Sequence, residues 1–508
     1  MRTALPAIAL ALAATVPARC AADPGKSLAG KRPNVILIMT DDQGYGEMSC
    51  HGNPILHTPN LDRLHREGVR LRDFHVSPTC APTRSSLMTG RHEFRSGVTH
   101  TILERERMSL RATTMAQVLK SAGYATGIFG KWHLGDEAPY QPDRRGFDEV
   151  FIHGAGGIGQ TYPGSGGDAP GNRYFDPAVL HNGRFEKTQG FCTDVFFAQA
   201  VRWIDGKRTG DAPFFAYITP NAPHGPYVCP EKYARAFEGK GLDQDSIAYY
   251  GMIANIDENV GRLLEKLREW DLERRTLVIF MTDNGHAIGR LYNAGMRGMK
   301  CTPYQGGTRV ASFWRWPGVL SAGVDVDRLT AHVDLFPTLA ELAGAKIPEG
   351  LKLDGRSLVP LLTDPKAPWP DRTLFVHVGR WARGKAAESK YAQCAVRTAR
   401  FRLVNNRELF DVLKDPGETT NVIDRHPEAV AGMRAAYDRW WAEVLPALEN
   451  EDAVGPKVNP FKALYWQQFG GGPDERLLQQ MDPTRPRPEP AKKAKKPVKK
   501  AAKGAKKA

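Results

Sequence analysis

The chain has 508 residues and 41% hydrophobic residues, which suffices for two or three domains with a sizeable core. Its formal charge of +14 is typical of nucleic-acid-binding proteins, but most of that charge lies at the two ends. Residues 491–508 hold nine lysines and residues 1–22 hold two arginines, with no acidic residue in either segment, which leaves +3 for the remainder. The composition therefore argues against specific recognition of DNA or RNA by the folded part.

The first 22 residues predict a signal peptide. Arg2 precedes an apolar, alanine-rich run over 3–18, and small residues that suit cleavage follow. This run is shorter than the roughly 20 apolar residues of a membrane span, and no later segment approaches that length. Arg19 directly before Cys20 argues against a lipoprotein anchor. We therefore expect an exported protein, periplasmic or secreted, without a transmembrane segment.

Four apolar, β-branched runs predict strands that are buried on both faces. They cover 34–39, 124–129, 213–218 and 276–281. Helical patterns alternate with them over 60–67, 114–122, 249–270 and 334–343. This alternation predicts an α/β domain with a mainly parallel sheet, in which ligands bind at the carboxyl ends of the strands.

Each of these strands stops at a cluster of polar side chains. The clusters contain Asp41, Asp42, Lys131, His133, His224, Asp283 and Asn284. Taken singly, each cluster is explained as well by a turn, a helix cap or a loop. Together at one edge of one sheet, they indicate a functional site.

The run Cys80-Ala81-Pro82-Thr83-Arg84 follows the first predicted helix. Pro82 suits a first helical turn, so a buried cysteine at the start of a helix would explain the local sequence without any chemistry. Such a helix would place Arg84 one turn from Cys80 on the same face, and its first N–H groups would favour an anion there. The residues alone therefore indicate a nucleophile in a positive field.

These motifs, in this order, resemble the sulfatase family of the alkaline phosphatase superfamily. The resemblance extends over about 32–428 and rests on C-x-P-x-R at Cys80 and on matches at 40–46, 130–135, 221–224, 283–285, 306–310 and 316–318. It implies a large α/β domain with a mainly parallel or mixed central sheet flanked by helices, alkaline phosphatase-like, plus a smaller α+β C-terminal domain. It also implies hydrolysis of sulfate monoesters, with Cys80 oxidised to formylglycine by a separate maturation enzyme.

By the same resemblance, one divalent cation is bound by the modified residue 80 and by Asp41, Asp42, Asp283 and Asn284. Four oxygen ligands without a histidine or a thiolate favour Ca²⁺ or Mg²⁺ over zinc. We expect Ca²⁺, with Mg²⁺ as the alternative.

The resemblance also implies roles for the cationic residues. Arg84 would fix residue 80, and Lys131, His224 and Lys300 would bind the sulfate group. In addition, His224 would protonate the leaving oxygen, and His133 would take up a proton when the sulfated intermediate collapses.

The expected boundaries are a signal peptide at 1–22, a catalytic domain at 30–370, a smaller domain at 371–470 and a disordered tail rich in proline and lysine at 471–508. The only function that we expect of this tail is adhesion to anionic surfaces. Without Cys20 and Cys80, five cysteines are left, an odd number that argues against a disulfide framework, although one or two bridges stay possible.

Several alternatives stay open at this point. A phosphodiesterase or phosphonate monoester hydrolase of the same superfamily would use a similar site, and a non-catalytic polyanion-binding protein would use the lysines. Sulfated carbohydrates and aryl sulfates are both candidate substrates. Loop 154–173 and the side chains of Arg380, Trp381 and Arg383 would contact such a substrate. The alternative for these three side chains is that they belong to an exposed loop without a function. His153 lies in a glycine-rich segment where some relatives have a serine, and it has no assigned role.

Overall fold

The computed structural model describes residues 27–484, so the predicted signal peptide and the lysines of 491–508 lie outside the described residues. A ten-stranded sheet has the order β10-β2-β9-β8-β1-β7-β3-β4-β5-β6. Its strands are β1 (Asn34–Thr40), β2 (Val69–His75), β3 (Ala125–Lys131), β4 (Glu149–His153), β5 (Ala178–His181), β6 (Arg184–Lys187), β7 (Phe214–Thr219), β8 (Thr276–Thr282), β9 (Ser312–Arg315) and β10 (Val324–Ala331). The central strands are parallel, whereas β9, β5 and β6 run antiparallel to their neighbours.

A second, antiparallel sheet contains β11 (Leu374–His377), β12 (Cys394–Arg397), β13 (Phe401–Val404) and β14 (Glu408–Asp411) in that order. The α-helices are α1 (Pro59–Glu67), α2 (Cys80–Thr89), α3 (Met115–Ser121), α4 (Cys192–Lys207), α5 (Glu231–Ala234), α6 (Gln244–Glu269), α7 (Gln305–Thr308), α8 (Leu335–Ala343), α9 (Val359–Thr363), α10 (Pro427–Val444), α11 (Pro460–Phe469) and α12 (Glu475–Met481). The architecture confirms the predicted large α/β domain with a smaller α+β part at its C-terminal end.

The central strands are buried on both faces, as their continuous apolar sequences predict. In β1, Val35 and Leu37 belong to the core on one side of the sheet, which α2, α3 and α8 cover. The alternate residues Ile36 and Ile38 belong to the core on the other side, which α1, α4 and α6 cover. Successive side chains of a strand point to opposite faces, so one strand contributes to two cores and is fixed between two helical layers.

The pairing of β1 with β8 brings the ends of these two strands, which are distant in the sequence, to the same edge of the sheet. Thr40, the last residue of β1, is paired with Thr282, the last residue of the parallel strand β8. The two segments that follow these strands therefore emerge side by side, and the Asp283 amide donates to the Thr40 carbonyl at 3.0 Å. The predicted polar clusters thus share one sheet edge because of strand pairing.

The C-terminal part packs α10 against the four-stranded sheet through an apolar cluster that contains Leu403, Trp440 and Trp441. The boundaries at 371 and 470 stay predictions. The segment 471–508, predicted to be disordered, contains the helix Glu475–Met481. Asp474 caps its N-terminal end, where the side chain accepts a hydrogen bond from the Leu477 amide. A short capped helix therefore extends beyond the predicted start of the tail.

Candidate active site

Two carboxylates follow β1 and a carboxylate and an amide follow β8. The side chains of Asp41, Asp42, Asp283 and Asn284 are all buried. The Asp42 amide donates to Asp283 Oδ1 at 3.1 Å, and Asn284 Nδ2 donates to Asp42 Oδ1 at 2.8 Å. Asp42 has φ 65°, a left-handed conformation that is uncommon outside glycine and that the surrounding contacts hold in place.

Glycine is required directly after these residues. A Cβ atom at Gly285 would lie 1.8 Å from the carbonyl oxygen of Gly306. No side chain fits that gap, so the glycine of the Asp-Asn-Gly sequence allows a close approach of two loops behind the site.

Cys80 is the first residue of α2, and it is buried against the same carboxylates. Its Sγ atom and one oxygen each of Asp41 and Asp283 lie within 4.8 Å of one another. Arg84, one turn further along α2, is fully buried and donates through Nη2 to Asp283 Oδ2 at 2.9 Å. Arg84 Nη1 donates to the Lys131 carbonyl at 3.0 Å and to Thr219 Oγ1 at 2.6 Å. The hydrogen bonds of Arg84 thus join α2 to β3, β7 and the segment after β8.

Two lysines neutralise the aspartates. Lys131, the last residue of β3, donates to Asp41 Oδ2, and both side chains are fully buried. Lys300 Nζ lies 2.5 Å from Asp42 Oδ1. Burial opposes the charge of Lys300, but the negative charges of Asp42, Asp41 and Asp283 act together against it, and the pKa of this lysine lies well above its usual value. Three aspartates are therefore matched by Arg84 and two lysines.

Two oxygens of this cluster have no hydrogen-bond partner among residues 27–484, although both are buried. They are Asp41 Oδ1 and Asn284 Oδ1. Burial raises the pKa of Asp283 to about 6, and the charge of Asp41 acts in the same direction. Buried acceptors without donors and carboxylates that repel each other are what a bound cation would satisfy, and hard oxygens suit Ca²⁺ or Mg²⁺. The donor set fits the expected divalent cation.

Two histidines lie beside the cluster, each with one ring nitrogen fixed by a backbone carbonyl. His133 Nε2 contacts the Thr101 carbonyl at 2.8 Å, so that nitrogen is the donor and Nδ1, buried without a partner among the described residues, is an acceptor. His224 Nδ1 contacts the Gly225 carbonyl at 2.7 Å, and its Nε2 lies 3.8 Å from Asp42 Oδ2.

Burial keeps both rings neutral. It lowers the pKa of His133 well below its usual value, with Lys131 acting in the same direction. It lowers the pKa of His224 to about 3, because Lys300 and Lys131 oppose the favourable charge of Asp42. Burial therefore favours the neutral form of His224 in the substrate-free protein, and its role as a sulfate-binding cation stays a prediction.

Comparison with known proteins identifies the family. A family model described as Sulfatase matches residues 33–345, which is more than half of the chain. The chain belongs to the sulfatase family. In this sulfatase a second model, described as N-sulphoglucosamine sulphohydrolase, C-terminal, matches residues 300–435.

Individual relatives agree with this assignment. Human arylsulfatase A is 32% identical over 506 residues, which covers 90% of this chain and 94% of the relative. Mouse N-acetylgalactosamine-6-sulfatase is 31% identical over 367 residues, covering 68% of this chain and 69% of the relative. The crystal structure of Ps i-CgsB in complex with k-i-k-neocarrahexaose superposes with a TM-score of 0.75 at 27% identity, covering 86% of this chain and 97% of that one. The protein is a sulfuric ester hydrolase of the arylsulfatase type.

Sequence reasoning missed a group of residues that braces the first loop of the sulfatase site. The Tyr249 hydroxyl on α6 lies 2.7 Å from the Asp42 carbonyl oxygen and also contacts the buried Glu47 carboxyl. Burial raises the pKa of Glu47 to about 8 despite these hydrogen bonds. Glu47 and Tyr249 are 202 positions apart, and a single glutamate or a single tyrosine in a sequence carries no signal that would connect them.

The glycine-rich segment after β4 packs against His133. A Cβ atom at Gly156 would lie 2.6 Å from the His133 ring, so a larger residue would displace this histidine. His153 lies in the same region, with Nδ1 2.8 Å from the Gly154 carbonyl and Nε2 buried without a partner in the described part of the chain. The structure thus explains Gly156 as space for His133, whereas Gly154 approaches Phe461 and Gly157 approaches Gln160.

The three residues predicted to contact an anionic sugar are not equivalent. Trp381 is buried, and its indole donates to Glu451 Oε2 at 2.6 Å. Arg383 donates to the Ala453 carbonyl. Arg380 is exposed, donates to Thr101 Oγ1 at 3.0 Å, and acts electrostatically on Cys301, the neighbour of Lys300. Of the three, Arg380 is the one whose partner, Thr101, also contacts a candidate site residue, through its carbonyl on His133.

The six cysteines from Cys50 to Cys394 within residues 27–484 are all free.

Across the same residues, none of the helices combines the length and the apolarity that crossing a membrane requires.

Proposed function

We propose that this sulfatase cleaves sulfate monoesters of a carbohydrate through a formylglycine made from Cys80 and one divalent cation, Ca²⁺ or alternatively Mg²⁺. A small aryl sulfate serves as an alternative substrate. The observation that carries the proposal is that Cys80 lies beside Asp41 and Asp283, to which Asp42 and Asn284 are joined by hydrogen bonds. Two buried oxygens of this group, Asp41 Oδ1 and Asn284 Oδ1, have no donor among the described residues. Cysteine itself is not the nucleophile in this proposal, because a thiol is suited to disulfides and carbonyls and not to a sulfate ester.

Residue 80 supplies the reactive group after oxidation by a separate maturation enzyme. One hydroxyl of the hydrated aldehyde attacks sulfur, and the other expels sulfate later when the carbonyl forms again. Oxygens of Asp41, Asp42, Asp283 and Asn284 would hold the cation. When bound, it supplies positive charge that lowers the pKa of the nucleophilic hydroxyl and offsets charge on a sulfate oxygen. Arg84 positions this arrangement through its ion pair with Asp283.

Lys131 and Lys300 bind the sulfate group and oppose the charge that develops on its oxygens. Both are ion-paired with aspartates in the substrate-free protein, so their ammonium groups are already fixed at the site. His133 acts as the proton acceptor, which is supported by its buried Nδ1 lone pair. His224 presents Nε2 toward the site, and it donates to the leaving oxygen only after an anionic substrate has raised its pKa.

A carbohydrate substrate is supported by the names of two similar proteins and by Arg380. One relative is an N-acetylgalactosamine-6-sulfatase, and one similar structure contains a neocarrahexaose. The exposed guanidinium of Arg380 at the rim would bind a second anionic group of the sugar. Export follows from the signal peptide predicted at 1–22, and the lysines of 491–508 would adhere to anionic surfaces.

The competing proposal is that the protein is a phosphodiesterase or a phosphonate monoester hydrolase with the same fold. A sulfate monoester carries one negative charge and a phosphate monoester up to two, so the two lysines alone do not exclude phosphate. A polyanion-binding protein without catalysis is disfavoured, because every position of the expected site is filled.

Matched sulfate, phosphate and phosphonate esters of one phenol separate these proposals. We expect kcat/KM to be highest for the sulfate ester by at least about 10²-fold, which corresponds to about 2.7 kcal/mol of transition-state free energy. The same assay on defined sulfated sugars, with Arg380→Ala as the variant, tests the substrate class. Preference for phosphate or phosphonate would overturn the proposal, and turnover of aryl sulfate alone would limit it to small substrates.

A further inference from the structure

A second group of metal-ligating side chains lies outside the candidate active site. It consists of Cys50 and His51, in the short helical turn Ser49–His51, and His65, in the last turn of α1. One ligand atom from each residue lies within 4.8 Å of the other two. We call these three residues the Cys-His-His cluster.

The hydrogen bonds of the cluster leave its ring nitrogens available. His51 Nδ1 lies 2.7 Å from the Tyr45 carbonyl, so Nδ1 carries the proton and Nε2 has the lone pair. A metal-binding histidine typically donates its other N–H group in this way, which fixes both the tautomer and the ring orientation. For His65, the described residues provide no hydrogen-bond partner to either ring nitrogen.

Packing holds the cluster in place beside a cavity. The Tyr45 ring stacks on His51 with centroids 3.8 Å apart, and the His51 and His65 rings meet edge to face at 5.8 Å. The adjoining cavity of about 300 Å³ is lined by all three cluster residues and by Asp325. All three residues are half-buried, so solvent has access to them and a water molecule could fill a fourth position.

The nearby charges are mixed. Asp62 accepts from the Cys50 amide at 2.9 Å, and Asp325 lines the same cavity. Arg70 also lines it, but its Nε is paired with Asp325 Oδ1 at 2.5 Å. Arg309 lies over the Tyr45 ring, 4.4 Å from its centroid. Arg72 lines the cavity as well and is paired with Asp325 and Asp327 at 3.5 and 3.4 Å, so both guanidinium groups that line the cavity have carboxylate partners, and a thiolate would add a negative charge.

We infer that Cys50, His51 and His65 bind a zinc ion, with water as the fourth ligand, at a site separate from the hard oxygen ligands of the catalytic cation. One thiolate and two imidazoles match the ligand types of zinc, whereas Ca²⁺ and Mg²⁺ require oxygens. Binding displaces the thiol proton of Cys50, so affinity rises with pH. The zinc ion joins α1 to the segment after Asp42 and thereby stabilises the loop that carries Asp41 and Asp42.

Cobalt and zinc binding test this site on the full-length, formylglycine-containing protein loaded with calcium. We expect one Co²⁺ per chain with a thiolate-to-metal charge-transfer band in the near ultraviolet, and one tightly held Zn²⁺ that displaces it. Cys50→Ser should abolish the band. His65→Ala should weaken zinc binding by about 100-fold or more, since loss of a residue that only orients a ligand already costs 10- to 100-fold.

The chain offers matched controls. Cys229→Ser removes another half-buried free thiol, and His57→Ala removes an exposed histidine, so both variants should keep the band and the zinc affinity. Asp283→Asn should lose calcium and still bind zinc, which separates the two sites. If wild type gives no thiolate band, or if Cys50→Ser keeps it, or if His65→Ala binds zinc as tightly as His57→Ala does, the zinc site does not exist.

Discussion

Two buried groups of charged residues in this protein have similar compositions and different surroundings. The first is the candidate active site. The second, which we call the interface cluster, joins the ten-stranded sheet to the C-terminal part and contains Asp73, His75, Arg397, Arg402 and Glu418. There Arg397 Nη2 lies 2.9 Å from Asp73 Oδ2, and Arg402 Nε lies 2.9 Å from Glu418 Oε1.

The difference lies in what faces the buried atoms that lack a hydrogen bond. In the interface cluster, Arg402 Nε and Glu418 Oε1 lack one but face each other as an ion pair, and each carboxylate has a guanidinium or imidazole opposite. In the candidate active site, Asp41 Oδ1, Asn284 Oδ1 and His133 Nδ1 are buried without a donor or acceptor in the described chain. Buried charge by itself thus does not mark a catalytic site, whereas buried acceptors that converge without donors indicate a place for a ligand.

The largest expected effect of a single substitution comes from Asp283→Asn. The amide keeps the shape of the side chain but removes one charge from the proposed cation ligands and from the ion pair with Arg84. We expect the bound cation to be lost and kcat/KM on an aryl sulfate to fall by about 10²-fold or more. Elemental analysis and steady-state kinetics measure the two effects.

Asp334→Asn is the matched control for this variant. Asp334 is equally buried and is paired with Arg372 at 2.7 Å, away from the proposed cation ligands. It should lose stability without losing the cation. Equal metal content in wild type and Asp283→Asn would contradict the assignment of Asp283.

Arg402→Met tests the structural half of the comparison. Both partners of the Arg402–Glu418 pair are fully buried, and burial lowers the pKa of Arg402 to about 10 and raises that of Glu418. Desolvation therefore dominates, and removal of one partner should destabilise the fold by about 3–5 kcal/mol. Urea denaturation gives the free energy of unfolding, and kcat/KM of the folded fraction should change little.

The pair of Arg400 with Asp411 supplies the control, because the Arg400 side chain is 46% exposed. Solvent screens its charge, so Arg400→Met should cost less stability than Arg402→Met. The double variant Arg402→Met/Glu418→Gln should recover part of the lost stability. If Arg402→Met is no more destabilising than Arg400→Met, the interface cluster does not hold the two parts together.

His75 gives the interface cluster a pH dependence. Burial lowers its pKa from 6.5 to about 4, against the favourable charge of Asp73. The folded state therefore binds fewer protons than the unfolded state between these values. The stability that neutral His75 provides is complete above about pH 6.5 and is lost as the pH falls toward 4, by about 3 kcal/mol in total.

His75→Gln should flatten this part of the stability curve, because the amide can still donate to Asp73 but does not titrate. Unfolding free energies of wild type and variant between about pH 7 and pH 4 measure the difference. The exposed His57→Gln should show the slope of wild type. A slope in His75→Gln identical to that of wild type would refute the role of His75.

The sequence predicted the fold well where strands are buried on both faces. The uninterrupted apolar runs of β1 and β8 mark such strands, and parallel pairing then forces their polar ends to one edge. The contacts between distant segments could not be predicted. Arg84 binds Thr219, and Tyr249 binds Glu47, through pairings that no local pattern encodes. The neutrality of His224 also depends on burial, which is a property of the assembled site.

Deletion of residues 491–508 should have the smallest effect on catalysis. All nine lysines of this segment follow Pro490, whereas every proposed catalytic and cation-binding residue precedes Cys301. Turnover of a small aryl sulfate should stay within experimental error, while retention on an anionic resin should weaken and depend less steeply on salt. A large loss of turnover in the truncated, folded protein would show that the tail takes part in catalysis.

The central claim is that activity comes from formylglycine at residue 80, and mass spectrometry of the peptide that contains this residue tests it most directly. Preparations made with and without a formylglycine-generating enzyme should differ in the fraction of Cys80 converted to the aldehyde. The account predicts that kcat per chain rises in proportion to this fraction and extrapolates to zero for unconverted protein. Full activity in a preparation whose residue 80 is entirely cysteine would contradict it.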